Sequence, residues 1–399
     1  MSLAVKSRKV FYFPGYDPKP PRRYREIYRA EAQKQGAISG YDISVAGRKT
    51  GGGQYGWDVT AEIDGVNTKT EYEFMTWTDI VKDSMEGSIL KSYIVFLVTG
   101  WRYFFSGAWG AYKRLGRPPF IVTLYPFLVL GGQLFLAILA ALVVYFLGSL
   151  VVWEWLAAVK AITVFVGALI YFKSIDHKIY AHYLMYDYGY AVSRQGEYPA
   201  ELQDRLKDFT DDIIRASNAG YDEVLIVGHS SGANVAISAL AAALRSGQMG
   251  NGQVNLLTIG HVIPLISYLP KAWEIRRDLQ YLSENADIAW IDITAPTDSV
   301  CFALVDPVST TGVETENRLW PIIISAQFKA AIDPARFAAL KKKYFQIHVQ
   351  YLCAFEHPGL YEFFRITAGP QSLAQHFKGR AHSPQRISEL HSPFQNIEP

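Results

Sequence analysis

Apolar positions along this chain fall into two patterns. The first alternates short apolar runs with stretches of helical periodicity. Val10–Pro14, Glu71–Trp77, Glu223–Val227, Asn255–Ile259, Ile288–Ile293 and Ile322–Ser325 are short and bounded by turn formers, which predicts strands. Arg22–Gln35, Pro199–Asn218, Ser231–Leu244, Ala272–Ser283 and Pro334–Lys343 predict helices. Tyr41–Gly65 alternates and predicts hairpin strands around a loose tip at Gly51-Gly52-Gly53. Tyr344–Leu352 alternates too, and reads as a strand or as the end of a helix. Strands alternating with helices predict an α/β fold with a mostly parallel sheet flanked by helices.

The second pattern is continuous. From Pro118 to Trp153 there is no charged residue, and from Trp155 to Phe172 the only one is Lys160. A single helix over the first run would far exceed the roughly 30 Å hydrocarbon core of a bilayer, at about 1.5 Å per residue. Two transmembrane helices near Leu124–Leu147 and Leu150–Phe172, turning at Gly148–Ser149, fit better, with a buried hairpin or apolar lid as the soluble alternative. Trp153 and Trp155 flank Glu154 at the turn, as interfacial aromatics do. Lys113, Arg114 and Arg117 precede the hairpin, and Lys173 and Lys178 follow it. The positive-inside tendency therefore places both ends, and the rest of the chain, on the cytoplasmic side. Tyr93–Trp101 is too short to span and is expected at the interface. Met1–Lys9 lacks a full apolar h-region and a cleavage site, so no signal peptide is expected. The expected organisation is a discontinuous domain over residues 1–80 and 180–375, an inserted membrane region over 81–179, and a weakly ordered polar tail over 376–399.

Composition supports that division. Half of the 399 residues are hydrophobic, 19% are charged and the net charge is +2, which excludes a disordered chain and a nucleic-acid binder acting by bulk charge. The basic run Lys19–Arg29 marks a solvated helix or a contact for anionic headgroups. Cys301 and Cys353 make no disulfide framework and have no metal-ligand spacing. Gly51-Gly52-Gly53 lacks the lysine and the strand–loop–helix context of a phosphate loop.

The chemistry-bearing segment runs from Val224 to Ala236. It contains Gly228-His229-Ser230-Ser231-Gly232, a G-x-S-x-G spacing between an apolar strand and a helix of small residues. That spacing suits a nucleophile on a sharp strand-to-helix turn, where Gly228 and Gly232 remove side chains that would collide. Residues 222–244 resemble the nucleophile elbow of the α/β-hydrolase superfamily, especially its lipase-like serine hydrolases. The resemblance extends over the sheet segments at 8–80 and 180–365 but not over the apolar insert.

It implies an acid after a later strand and a histidine last. Asp298, past Ile288–Ile293, is the expected acid; Asp292 lies within the strand and Asp306 is a loop alternative. Two histidines compete for general base: His357 in Glu356-His357-Pro358-Gly359, and His348 in the alternating run. His229 adjoins the nucleophile but points the wrong way, and His376, His382 and His391 fall in the tail. The oxyanion hole is expected from the Ser231 amide and from the Tyr16 amide in Phe13-Pro14-Gly15-Tyr16-Asp17.

The function implied is a membrane-anchored serine esterase that needs no cofactor or metal. It would cleave an acyl ester or thioester, from a lipid or another small acyl ester, through an acyl-enzyme on Ser230. An acyltransferase using the same acyl-enzyme, and a non-catalytic hydrolase-like membrane protein, are the alternatives.

Overall fold

Every residue from Arg8 to Phe13 is buried, the pattern of a strand covered on both faces. This strand sits near the middle of an eight-stranded sheet in the computed structural model, which describes residues 4–48 and 54–399. In chain order the strands are β1 (Ser7–Phe13), β2 (Asp42–Gly47), β3 (Gly56–Ile63), β4 (Val66–Phe74), β5 (Glu223–His229), β6 (Gln253–Ile259), β7 (Trp290–Thr294) and β8 (Ile322–Ser325). Their spatial order is β2-β3-β4-β1-β5-β6-β7-β8. From β4 to β8 all neighbours are parallel, while β2, β3 and β4 form an antiparallel meander at one edge. The fold is thus α/β, with a mixed, mostly parallel sheet between helices.

The predicted strands are present with shifted ends. β4 begins at Val66 rather than Glu71, because its buried alternate positions there are Thr68 and Thr70, which carry no apolar signal. The glycine run at residues 51–53 lies outside the described residues. Tyr344–Val349 is helical, not a strand.

One face of the sheet presents Val10, Tyr12, Leu225, Val227, Leu257, Ile259, Ile291 and Ile293. They pack with Tyr28 and Ala32 of the Pro21–Ser39 helix and with Phe363, Phe364 and Ile366 from the carboxyl-terminal part. On β5, the Gly232–Arg245 helix packs together with the Ala200–Ser217 and Trp273–Glu284 helices. Deep in this unit lies an ion pair with no exposure: Arg8 Nε donates to Glu223 Oε2 at 2.6 Å. The Arg8 guanidinium also donates to the carbonyls of Gly369 and Gln371. Glu223 Oε1 accepts from Asn255 and the Leu373 amide. The pair therefore ties β1, β5 and β6 to the carboxyl-terminal segment with its hydrogen-bonding capacity used.

That segment is not a loose tail. The Ser383 amide donates to the Ile323 carbonyl at 2.8 Å, the Ile323 amide to His382 Nδ1 at 3.1 Å and the Ser325 amide to Ser383 Oγ at 2.8 Å. These bonds cover the open edge of β8 with chain, which removes an unpaired strand edge. The expected weak order fails because the segment's polar residues serve as pairing groups.

The chain divides into two compact units, Met1–Lys82 with Gly196–Pro399, and Asp83–Gln195. The second unit is therefore wider than 81–179 at its far end, taking in the Ala181–Val192 helix. It contains the two helices that, among the described residues, are long and apolar enough to cross a membrane, Arg117–Ser149 and Glu154–Ser174. The first starts earlier than expected because Pro118 and Pro119 fall in its first turn, where a missing amide is harmless. The second starts later: the amides of Val151 and Val152 both close back onto the Gly148 carbonyl, and Glu154 opens the helix where a carboxylate suits its positive end.

Removing Glu223 should leave Arg8 charged and unpaired in the core. Glu223→Ala is expected to lower stability by about 3–5 kcal/mol, read from denaturant unfolding of the purified full-length protein. A loss below about 1 kcal/mol would mean the pair is not the clamp described.

Candidate functional site

β5 is buried along its whole length and ends at His229. The next residue, Ser230, has φ +57°, a left-handed conformation uncommon for a residue with a side chain. Holding it there costs about 1–3 kcal/mol, so neighbouring structure must impose it. The Ser230 amide donates to the Ile259 carbonyl at the end of β6 at 3.0 Å, and the Ser230 carbonyl accepts from the Ala233 amide at 3.1 Å. Ser231 then occupies the position before the Gly232–Arg245 helix, without a side-chain capping bond. A Cβ on Gly232 would lie 2.3 Å from the Phe13 and Pro14 carbonyl oxygens, and one on Gly228 would lie 2.7 Å from Ala233 Cα. Both glycines are needed because helix and strand backbones pass at contact distance. A Cβ on Gly15 would fall 2.9 Å from Ser230 Cβ, so the loop after β1 lies directly over the serine. The two neighbours of β1 enter on opposite sides, which places Ser230 at a switch point of the sheet, where α/β folds bind ligands.

Of the two candidate histidines, His348 is the one brought to Asp298. His348 Nδ1 hydrogen-bonds Asp298 Oδ2 at 2.7 Å, with both side chains buried. Asp298 Oδ1 accepts from the Val300 amide at 3.0 Å. Burial would push the Asp298 carboxyl up, but the His348 ring, its hydrogen bond and those from Val300 and Cys301 together hold it below the usual carboxylate range. His348 Nε2 is buried and has no hydrogen-bond partner. His357 lies on the surface, its amide spent on the Ala331 carbonyl at 2.9 Å. Asp292 belongs to the sheet interior, where it accepts from Thr258 Oγ1 at 2.6 Å and burial drives its carboxyl well upward. Asp306 caps the Pro307–Thr311 helix and pairs with Arg318 and Arg386.

His229 faces away from the serine, toward Tyr12 and His348. Its Nε2 lies 3.1 Å from the His348 carbonyl, which can only accept, so the proton sits on Nε2. Nδ1 then accepts from the Tyr12 hydroxyl at 3.0 Å. The two imidazoles stack at 4.9 Å between centroids with 28° between planes. Burial, and after it the neighbouring His348, push His229 down to about 3.

The expected oxyanion donors are adjacent, and one is engaged. The Tyr16 amide donates to Ser231 Oγ at 3.0 Å, and the Ser231 amide sits ahead of the helix, outside its hydrogen-bond ladder. A rotation of the Ser231 hydroxyl to another staggered position would release the Tyr16 amide.

Comparisons with protein-family models, curated proteins and solved structures give no match.

Three further residues support the site without any sequence signal that marks them. Gly260 follows β6 with φ +53°, and a Cβ there would meet Tyr351 Cε2 at 2.7 Å and His348 Cε1 at 3.2 Å. Tyr351 accepts from the Ala295 amide through its hydroxyl at 2.9 Å, fixing the start of the loop that carries Asp298. Cys301 Sγ approaches the Asp298 carbonyl at 3.5 Å and the Tyr351 hydroxyl at 3.6 Å. Among the described residues no cluster of His, Cys, Asp or Glu could hold a metal ion.

Burial also holds His261 down, to about 4. A histidine kept neutral when folded binds its proton more readily unfolded, so stability present above the ordinary value of 6.5 is lost as pH falls below it. His229→Gln can keep one donor and one acceptor without the titration. It is expected to retain about 1–3 kcal/mol more of its own stability than wild type between pH 6.5 and 4.5. Denaturant unfolding at several pH values measures this, and parallel slopes would contradict it.

Proposed function

We propose that the chain is a membrane-anchored serine hydrolase of the α/β-hydrolase type, cleaving an acyl ester or thioester through an acyl-enzyme on Ser230. The observation that carries this reading is the buried His348–Asp298 pair with His348 Nε2 left without a partner, beside an elbow that holds Ser230 left-handed. His348 Cε1 approaches Gly260, whose preceding carbonyl binds the Ser230 amide, and the His348 ring stacks on His229, the residue before the serine. The order Ser230, Asp298, His348 along the chain is that of α/β-hydrolases.

In this reading Ser230 Oγ attacks the acyl carbonyl as His348 Nε2 takes its proton. Asp298 fixes the Nε2-accepting tautomer and stabilises the imidazolium. The Ser231 and Tyr16 amides receive the developing oxyanion once the Ser231 hydroxyl has turned away. His348 returns the proton to the leaving alcohol or thiol, and water repeats the sequence to release the acid. The Arg117–Ser149 and Glu154–Ser174 helices cross the bilayer as a hairpin, and the cations at its two ends keep the hydrolase unit in the cytoplasm. Tethering beside a bilayer raises the effective concentration of acyl lipids.

A fluorophosphonate probe on membranes containing the full-length protein tests the chemistry. Wild type should label and Ser230→Ala should not. His348→Ala and Asp298→Asn should slow labelling by about 10³–10⁴-fold, as for triad members elsewhere, and His357→Ala should leave it unchanged. Gly260→Ala should slow it as well, by displacing His348. An unlabelled wild type, or equal loss in His357→Ala, would sink the assignment. With a labelled acyl donor, free acid is the expected product, and acyl appearing on an alcohol or amine would make the enzyme a transferase.

A further inference from the structure

The Ile89–Phe105 helix is inside out for a helix in water. Leu90, Ile94, Leu97, Trp101, Phe104 and Phe105 recur on one stripe, and all are exposed, Trp101 by 67%. The buried face is the polar one: Ser92, Thr99, Tyr93 and Tyr103 point inward. Ser92 Oγ hydrogen-bonds the Tyr186 hydroxyl at 2.7 Å. Gly189 brings the Ala181–Val192 helix so close that a Cβ on it would meet Val95 Cγ1 at 2.5 Å and Thr99 Oγ1 at 3.3 Å. The helix's cations are turned onto backbone carbonyls within the same unit. Arg102 donates to the Val192 carbonyl at 2.7 Å, and Lys91 to the carbonyl of Ser84 at 3.4 Å and to that of Glu86. Nothing charged is left on the stripe.

We propose that this face is embedded in the acyl-chain layer of the bilayer, making Ile89–Phe105 a third membrane element beside the hairpin rather than a helix that keeps a wet face. The proposal rests on the membrane reading of the hairpin. Lipid is the occupant for two reasons. First, the stripe offers no hydrogen-bonding group but the Trp101 indole, whereas protein interfaces carry about one hydrogen bond per 100–200 Å² and a polar rim. Second, the helix that carries it packs against the hairpin within the same unit: Phe96 of this helix meets Phe127 of the Arg117–Ser149 helix at 6.0 Å between centroids. A close-packed polar seam with small residues, surrounded by outward apolar side chains, is how helices associate in lipid. Trp101 and Phe105, with rings 4.0 Å apart, put aromatic surface toward one end, as at a headgroup boundary.

Spin labels on the full-length protein, with Cys301 and Cys353 replaced by serine and the protein reconstituted in phosphatidylcholine vesicles, test it. Single labels at Leu97, Trp101 and Phe105 should be more accessible to oxygen than to a water-soluble nickel chelate, as labels at Val143 and Val166 on the hairpin should be. Preferential access of the chelate to the three stripe labels, or protection from both reagents as under a second protein, would overturn the proposal while the hairpin labels still report lipid. If the hairpin labels report water, the membrane reading itself fails first. A label at exposed Lys113 provides the aqueous reference.

Discussion

The candidate site depends on one backbone constraint: β5 reverses into a helix across only two residues, Ser230 and Ser231, and Ser230 lies in the left-handed region. A left-handed serine is unstable in isolation, so the sheet supplies what holds it. Its amide is fastened to the end of β6, its carbonyl to the helix that follows, and the loop after β1 closes over its side chain. Each of these partners is itself placed by the parallel pairing of β1, β5 and β6. The buried Arg8–Glu223 pair anchors the same strands at their opposite ends. Strain at one end of β5 is tolerated because the rest of the strand has almost no freedom to relieve it.

This explains which parts of the site were legible in the sequence. The elbow is a local object: its glycines, small-residue helix and apolar strand lie within a short segment, so spacing alone describes them. Asp298 was legible because a loop after a strand is also a local feature. The histidine was not, because His348 and His357 differ only in what the tertiary fold brings near. His348 sits on a helical turn whose alternating residues imitate a strand, and it reaches Asp298 because Gly260 and Tyr351 leave it a slot. Gly260 and Tyr351 act through contacts between distant segments, for which one sequence has no spacing rule. The carboxyl-terminal segment was misjudged for a related reason. Its polar residues look solvated until the open edge of β8 gives them backbone groups to pair with.

The two units solve opposite problems with the same apolar residues. Around the sheet, apolar side chains face inward, and the buried charges of Arg8 and Glu223 are paired with each other. In Asp83–Gln195 the arrangement is reversed along the Ile89–Phe105 helix, with hydroxyls inside and large apolar side chains outside. Sequence periodicity detects that a helix has two faces, but not which of them is turned inward. Packing against the Ala181–Val192 helix decides that, because Gly189 lets only a close, small-residue face dock.

His229 joins these arguments at the serine. It occupies the position next to Ser230, and under the proposed mechanism a charged imidazolium there would oppose the positive charge that His348 carries after taking a proton. Stacked rings at 4.9 Å would make that repulsion severe in a buried setting. Burial removes the conflict by keeping His229 neutral, and its two hydrogen bonds give the neutral ring a single tautomer. The ring thereby becomes a fixed strut: Tyr12 of β1 holds one nitrogen, and the other holds the backbone of His348. From its place beside Ser230, His229 thus links the backbone that carries His348 to β1 and to the end of β5.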